Sequence, residues 1–138
     1  MPMLGSAKAT AERGRDAPDL RTKGQIEAEI SKAMIRFKRE QLGRGPADIR
    51  TQIVQDLVIV RMADMLTTAE RTLVRAGGEE LLKQVRAKLL ASEHEALDRL
   101  LWEVTGCEVV SIYSDLNPET GERIIVFVLR ESPKVRWE

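Results

Sequence analysis

Between residues 42 and 62 the chain reads LGRGPADIRTQIVQDLVIVRM, where a breaker gives way to alternation: Ile49, Thr51 and Ile53 interleave with Arg50 and Gln52. A period of two sends successive side chains to opposite faces, so the spacing predicts a strand with one buried and one wetted side. Gln55-Asp56 offers a turn into Leu57-Val58-Ile59-Val60, and the segment reads as a β-hairpin. Gly43, Gly45 and Pro46 end whatever helix precedes it, since proline has no amide to donate and glycine reaches backbone angles other residues avoid.

Upstream the period changes. Ile26, Ile30, Ala33, Met34 and Phe37 fall on one helical face over residues 24–42, and Glu27, Glu29, Lys32, Arg36, Lys38 and Arg39 are assigned to the solvated face, acids early and bases late as the helix dipole favours. Downstream of the hairpin, Thr67-Thr68-Ala69-Glu70 has the spacing of a capping box, heading a short helix to about Ala76 that Gly77-Gly78 breaks. A second helical pattern runs over residues 79–105, with Leu81, Leu82, Val85, Leu89, Ala96, Leu97, Leu100, Leu101 and Val104 near one stripe. At 1.5 Å per residue it is about 40 Å long, more than one small sheet can cover, so part of it is expected to pack on something else. Its most polar stretch, residues 91–95, is where it is expected to bend or project into solvent. Gly106 suits the residue just past its end.

A second hairpin follows. Residues 107–114 and 122–130 flank the loop DLNPETG, and Arg123-Ile124-Ile125-Val126-Phe127-Val128-Leu129 is apolar on both faces apart from its first residue. A sheet open to water on one side should alternate, so both sides of this strand are expected to be covered. Helix, glycine break and hairpin thus occur twice. The pattern predicts an α+β fold of two αββ units, in the order helix, hairpin, helix, helix, hairpin, with a four-stranded antiparallel sheet and helices packed on one face. Strands apolar on both sides and an overlong helix together predict a homo-oligomer, a dimer built along the long helix or across the sheet.

Composition narrows the function classes. The chain has 138 residues, enough for one domain over residues 23–131, flanked by a flexible extension (1–22) and a short tail (132–138). Lys+Arg and Asp+Glu are both 22, so overall charge does not draw the protein to a polyanion, and nucleic acid is not an expected partner. A single cysteine excludes an internal disulfide framework and fits a reducing compartment; no apolar run approaches the roughly 20 residues that span a bilayer. The expected location is cytoplasmic.

Candidate chemistry is sparse. His94 and Asp98 are four apart on a helix, but two ligands do not make a metal site, and no second histidine is available. Cys107 follows the C-terminal end of a helix, where the dipole raises a thiol pKa. No catalytic, cofactor-binding or metal-ligating residues are therefore picked out, and none of the chemistry points to an enzyme. The loop Gly43-Arg44-Gly45-Pro46 has glycines that let amides approach an anion, but it closes a helix and opens a strand, the reverse of a phosphate loop. The candidate contact residues for a ligand or partner are Arg44, Gly45, Arg50 and Arg61, with Lys38 and Arg39 near them in sequence.

The runs KGQIEAEISKA, LGRGPADIRT and TGERIIVF carry a resemblance that spans residues 23–130. They resemble a bacterial family first catalogued as a domain of unknown function and labelled MpsC-like, after a sodium-translocating, membrane-potential-generating system. The resemblance implies a small accessory or regulatory protein of a membrane ion or bicarbonate transport system, peripheral to the inner membrane through partner subunits. It brings no catalytic residues. The alternatives are a small-ligand or anion-binding sensor using the Arg44 to Arg50 region, and a nucleic-acid-associated regulator.

Overall fold

A computed structural model describes residues 20–136; most of the N-terminal extension and Trp137 of the tail lie outside the described residues. The elements are α1 (Lys23–Leu42), β1 (Asp48–Val54), β2 (Leu57–Ala63), α2 (Thr68–Arg75), α3 (Glu79–Thr105), β3 (Val109–Leu116) and β4 (Arg123–Leu129). Their ends are set locally. Thr22 heads α1 and Thr67 heads α2, each by a capping box in which the threonine hydroxyl accepts from the third amide and that residue's side chain accepts from the threonine amide. Gly43 and Gly106 close α1 and α3 in the left-handed region, at φ 77° and 71°. Arg21 and Thr22 belong to the folded part: Arg136 pairs with them, its amide donating to Arg21 O at 2.9 Å, and Val135 packs on the core.

The sheet is antiparallel throughout, in the order β1-β2-β4-β3, so the second strand of each hairpin lies in the centre. Val54 faces Leu57 across a two-residue turn whose Gln55 takes φ 57°. The helices lie on one face. Ile53, Val58, Val60, Met62, Ile125, Phe127 and Leu129 point toward them and meet Ile26, Ile30 and Met34 of α1 and Leu97 and Leu101 of α3. A smaller cluster, Leu66, Leu82 and Leu116, sits under the start of α3.

Register fixes the opposite face. Residues directly across a ladder share a side, so Val54, Leu57, Val128 and Ser111 form one row, Gln52, Ile59, Val126 and Tyr113 the next, and Arg50, Arg61, Ile124 and Asp115 the third. This face carries no helix within the described chain. Val54 is 47% exposed, Tyr113 62% and Val110, at the β3 bulge, 53%. The apolar pattern on both sides of β4 is therefore matched by own-chain packing on one side only.

Two solvent assignments change. Lys38 is not on the wetted face of α1: it is 1% exposed, because it continues the four-residue stripe Ile26, Ile30, Met34 over the sheet. The polar middle of α3 is exposed at Ala91, Ser92, His94 and Glu95, as expected, but Glu93 turns inward to Lys38. The exposed apolar positions of the helix lie earlier, at Leu81, Val85 and Leu89.

Candidate functional site

The four candidate contact residues do not converge. Arg44 donates to Leu66 O at 2.9 Å and to Asp64 Oδ2 at 3.0 Å, and Arg71 binds the other oxygen of the same carboxylate, so Arg44 ties the α1–β1 junction to the β2–α2 loop. Gly45 packs where a Cβ would come within 3.3 Å of the Ile35 side chain, a close approach of backbone rather than an opening for a ligand. Arg50 and Arg61 do stand opposite each other on the open sheet face, but Arg50 pairs with Asp48 and Arg61 with Glu122. Among the described residues there is no group of three metal-ligating side chains, and His94 with Asp98 remains a pair. Cys107 is buried.

The structure instead gathers charge on the helix-covered side, under the first half of α3. Lys38 from α1, Arg86 from α3 and Arg123 from β4 are 1%, 4% and 3% exposed, three cations in a place that normally excludes them. Arg86 is fully engaged on one edge: Nε donates to Glu70 Oε2 at 2.7 Å and Nη2 to Glu70 Oε1 at 2.6 Å, a bidentate fork, with Met65 O a further acceptor at 2.7 Å. Glu70 is also the residue that caps α2 by accepting from Thr67 N at 2.9 Å. Burial alone would raise the Glu70 carboxyl, but the bonds from Arg86 and Thr67 outweigh it and hold it below its ordinary range.

Lys38 reaches Glu93 at 3.4 Å. Burial, reinforced by the Arg123 charge and opposed by Glu93, lowers its ammonium from 10.5 to about 8. Arg123 is the third member. Its Nε is buried without a hydrogen-bond partner, and burial together with the Arg86 charge works against its cationic form. A guanidinium stays protonated all the same, and an uncompensated buried charge costs several kcal/mol. A cavity of about 210 Å³ adjoins it, between α3 and the β3–β4 end of the sheet, lined by Lys83, Arg86, Ala87, Ser114, Asp115 and Arg123 among others.

The sequence held a usable sign of this cluster. Lys38 stands four residues after Met34 on the buried stripe of α1, and Leu82, Arg86, Leu90, Glu93 and Leu97 follow steps of four, four, three and four along α3. A charged residue in phase with an apolar stripe points into the core with it. Arg123 shares a face with Ile125, Phe127 and Leu129 for the same reason.

Fold and site together define a two-layer α+β protein with a charged cluster buried between its layers and an apolar sheet face left open; among the described residues no helix is long and apolar enough to cross a membrane. The chain belongs to the family described as the Na+-translocating membrane potential-generating system (MpsC), which matches residues 22–131. It is similar to the uncharacterized protein YbcI of Bacillus subtilis (strain 168), 39% identical over 112 residues that cover 79% of this chain and 89% of that protein. The uncharacterized protein YrhF of the same organism is 24% identical over 102 residues, 72% of this chain and 84% of its own length. No solved structure shows significant similarity to the chain.

Proposed function

We propose that the protein is a non-catalytic accessory or regulatory component of a membrane-potential-generating ion transport system, cytoplasmic and held near the membrane by partner subunits, and that it works as a homodimer joined through the open face of its sheet. The observation that carries this reading is that face. Val54, Leu57, Ile59, Val110, Tyr113, Ile124, Val126 and Val128 lie at or on it, and its apolar centre has no cover from its own helices. The family description supplies the link to membrane potential.

Self-complementarity favours a second copy as the occupant. The first two rows run Val54, Leu57, Val128, Ser111 and Gln52, Ile59, Val126, Tyr113, each apolar at its two central strands. A two-fold axis along the strands, between β2 and β4, brings Leu57 opposite the partner's Val128 and Ile59 opposite the partner's Val126. The α1–β1–β2 and α3–β3–β4 segments act in this reading as two versions of one αββ unit, each giving a central strand to the dimer's core.

The test has two arms. Light scattering at micromolar concentration is expected to give a dimer for the wild type and a monomer for Val126→Lys, which would bury an unpaired ammonium at the centre of the interface. A monomeric wild type overturns the dimer. In the native host, deletion is expected to lower the sodium-dependent membrane potential, restored by the wild-type gene and not by Val126→Lys; an unchanged potential in the deletion strain overturns the transport role.

A further inference from the structure

Count the charges around the buried cluster. Lys38, Arg86 and Arg123 are opposed by Glu70 and Glu93, three cations against two carboxylates, and the carboxylates are committed, Glu70 to Arg86 and Glu93 to Lys38. Lys83 and Asp115, at the rim of the adjoining cavity, cancel each other at 3.6 Å. One buried positive charge is left over, on Arg123, whose Nε is unpartnered and whose side chain lines the cavity. Arg86 Nη1 and the Ser114 hydroxyl also take no protein partner among the described residues, and both residues line the same space. At about 30 Å³ per water the cavity of about 210 Å³ corresponds to some seven waters, ample room for a small oxyanion with part of its hydration.

We propose that this cavity binds a small oxyanion, bridging Arg123 and Arg86 and accepting from the Ser114 hydroxyl, with Lys83 at the mouth. A guanidinium presents parallel N–H groups that match two oxygens of one anion, which selects phosphate, sulfate, bicarbonate or a carboxylate over a halide. The bound anion supplies the counter-charge that the protein lacks. Because its ligands come from α3, β3 and β4, and Arg86 is tied through Glu70 to the start of α2, occupancy couples the packing of the long helix on the sheet to the concentration of the anion. This site is distinct from Arg44, Arg50 and Arg61, which lie on the loop and on the opposite face.

The experiment is thermal unfolding of the full chain at matched ionic strength in chloride, phosphate, sulfate, bicarbonate, acetate and malonate. The first three oxyanions report an inorganic ligand and the last two an organic acid. Phosphate and sulfate stabilise many proteins by exclusion from the surface, so the signal is the difference between wild type and a variant with the site filled. Ala87 is exposed and lines the cavity; Ala87→Glu puts a tethered carboxylate at the guanidinium groups. The wild type is expected to melt about 4 °C higher in at least one oxyanion at 10 mM than in chloride, and Ala87→Glu to lose that increment. Arg123→Met is expected to lose it too, without melting lower than wild type in chloride. No oxyanion-specific increment in the wild type overturns the proposal, as does an increment that Ala87→Glu retains in full.

Discussion

The two faces of β4 begin from nearly the same chemistry and end in different circumstances. Ile125, Phe127 and Leu129 are buried against α1 and α3, while Ile124, Val126 and Val128, one step out of phase, stay partly exposed on a face that the described chain does not cover. Apolar character alone therefore does not say where a core is. Two helices and a pair of hairpins supply enough apolar surface to bury one side of the sheet, and at the far end of that same side they bury three cations as well. Both faces are apolar at their centre, and what separates them is that only one has helices packed over it.

The comparison is broken most severely at Phe127. Phe127→Ala should cost about 3–5 kcal/mol in urea unfolding, because a fully buried ring leaves a cavity that its neighbours cannot close. Val126→Ala, its immediate neighbour on the open face, should cost less than about 1 kcal/mol at dilute protein, and more at high concentration if a second copy covers it. Equal losses at the two positions in dilute solution would show the faces to be equivalent after all.

Next in size is a pH effect confined to the covered face. Lys38 has a folded pKa of about 8 against an ordinary 10.5. Below pH 8 both folded and unfolded forms hold the proton, and the cost of burying the ammonium is fully present. Between pH 8 and 10.5 the folded protein releases a proton that the unfolded chain keeps, so stability should rise with pH by up to about 3 kcal/mol. Urea unfolding at pH 7.5, 9 and 10.5 should show this rise in the wild type and not in Lys38→Met. A variant with the same slope would mean that Lys38 is not the titrating group.

The smallest effect belongs to the loop arginine. Arg44 and Asp64 are 40% and 39% exposed, so Arg44→Ala should lose only about 0.5–1 kcal/mol, read as a fall of a few degrees in melting temperature. A larger loss would make the α1–β1 junction a structural keystone comparable with the buried cluster.

Local signals made much of the architecture readable. The Thr67 to Glu70 capping box, the breaks at Gly43 and Gly77-Gly78, the C-terminal Gly106 and the α+β composition of the sheet all follow from spacings of a few residues. The candidate site was less readable. Arg44 and Arg61 are cations near one another in sequence, yet in the folded chain each already has a carboxylate. Lys38 carries a charge, but it stands on the same stripe as Ile30 and Met34, and helical phase outweighs charge in deciding which way it points.

By itself, then, the sequence determined the elements, their caps, the alternation that gives β1 one apolar side and the unbroken apolar runs of β2 and β4, since these depend on neighbours within a turn or a ladder pitch. Tertiary structure decided which of those sides is covered, and which cations are buried with it. Lys38 meets Glu93 across 55 residues of chain and Arg86 meets Glu70 across 16, pairings that exist only once α1 and α2 are packed against α3 on a sheet in the order β1-β2-β4-β3. Burial and long-range charge pairing are properties of that arrangement, because the dielectric surroundings of a side chain are set by whatever packs over it.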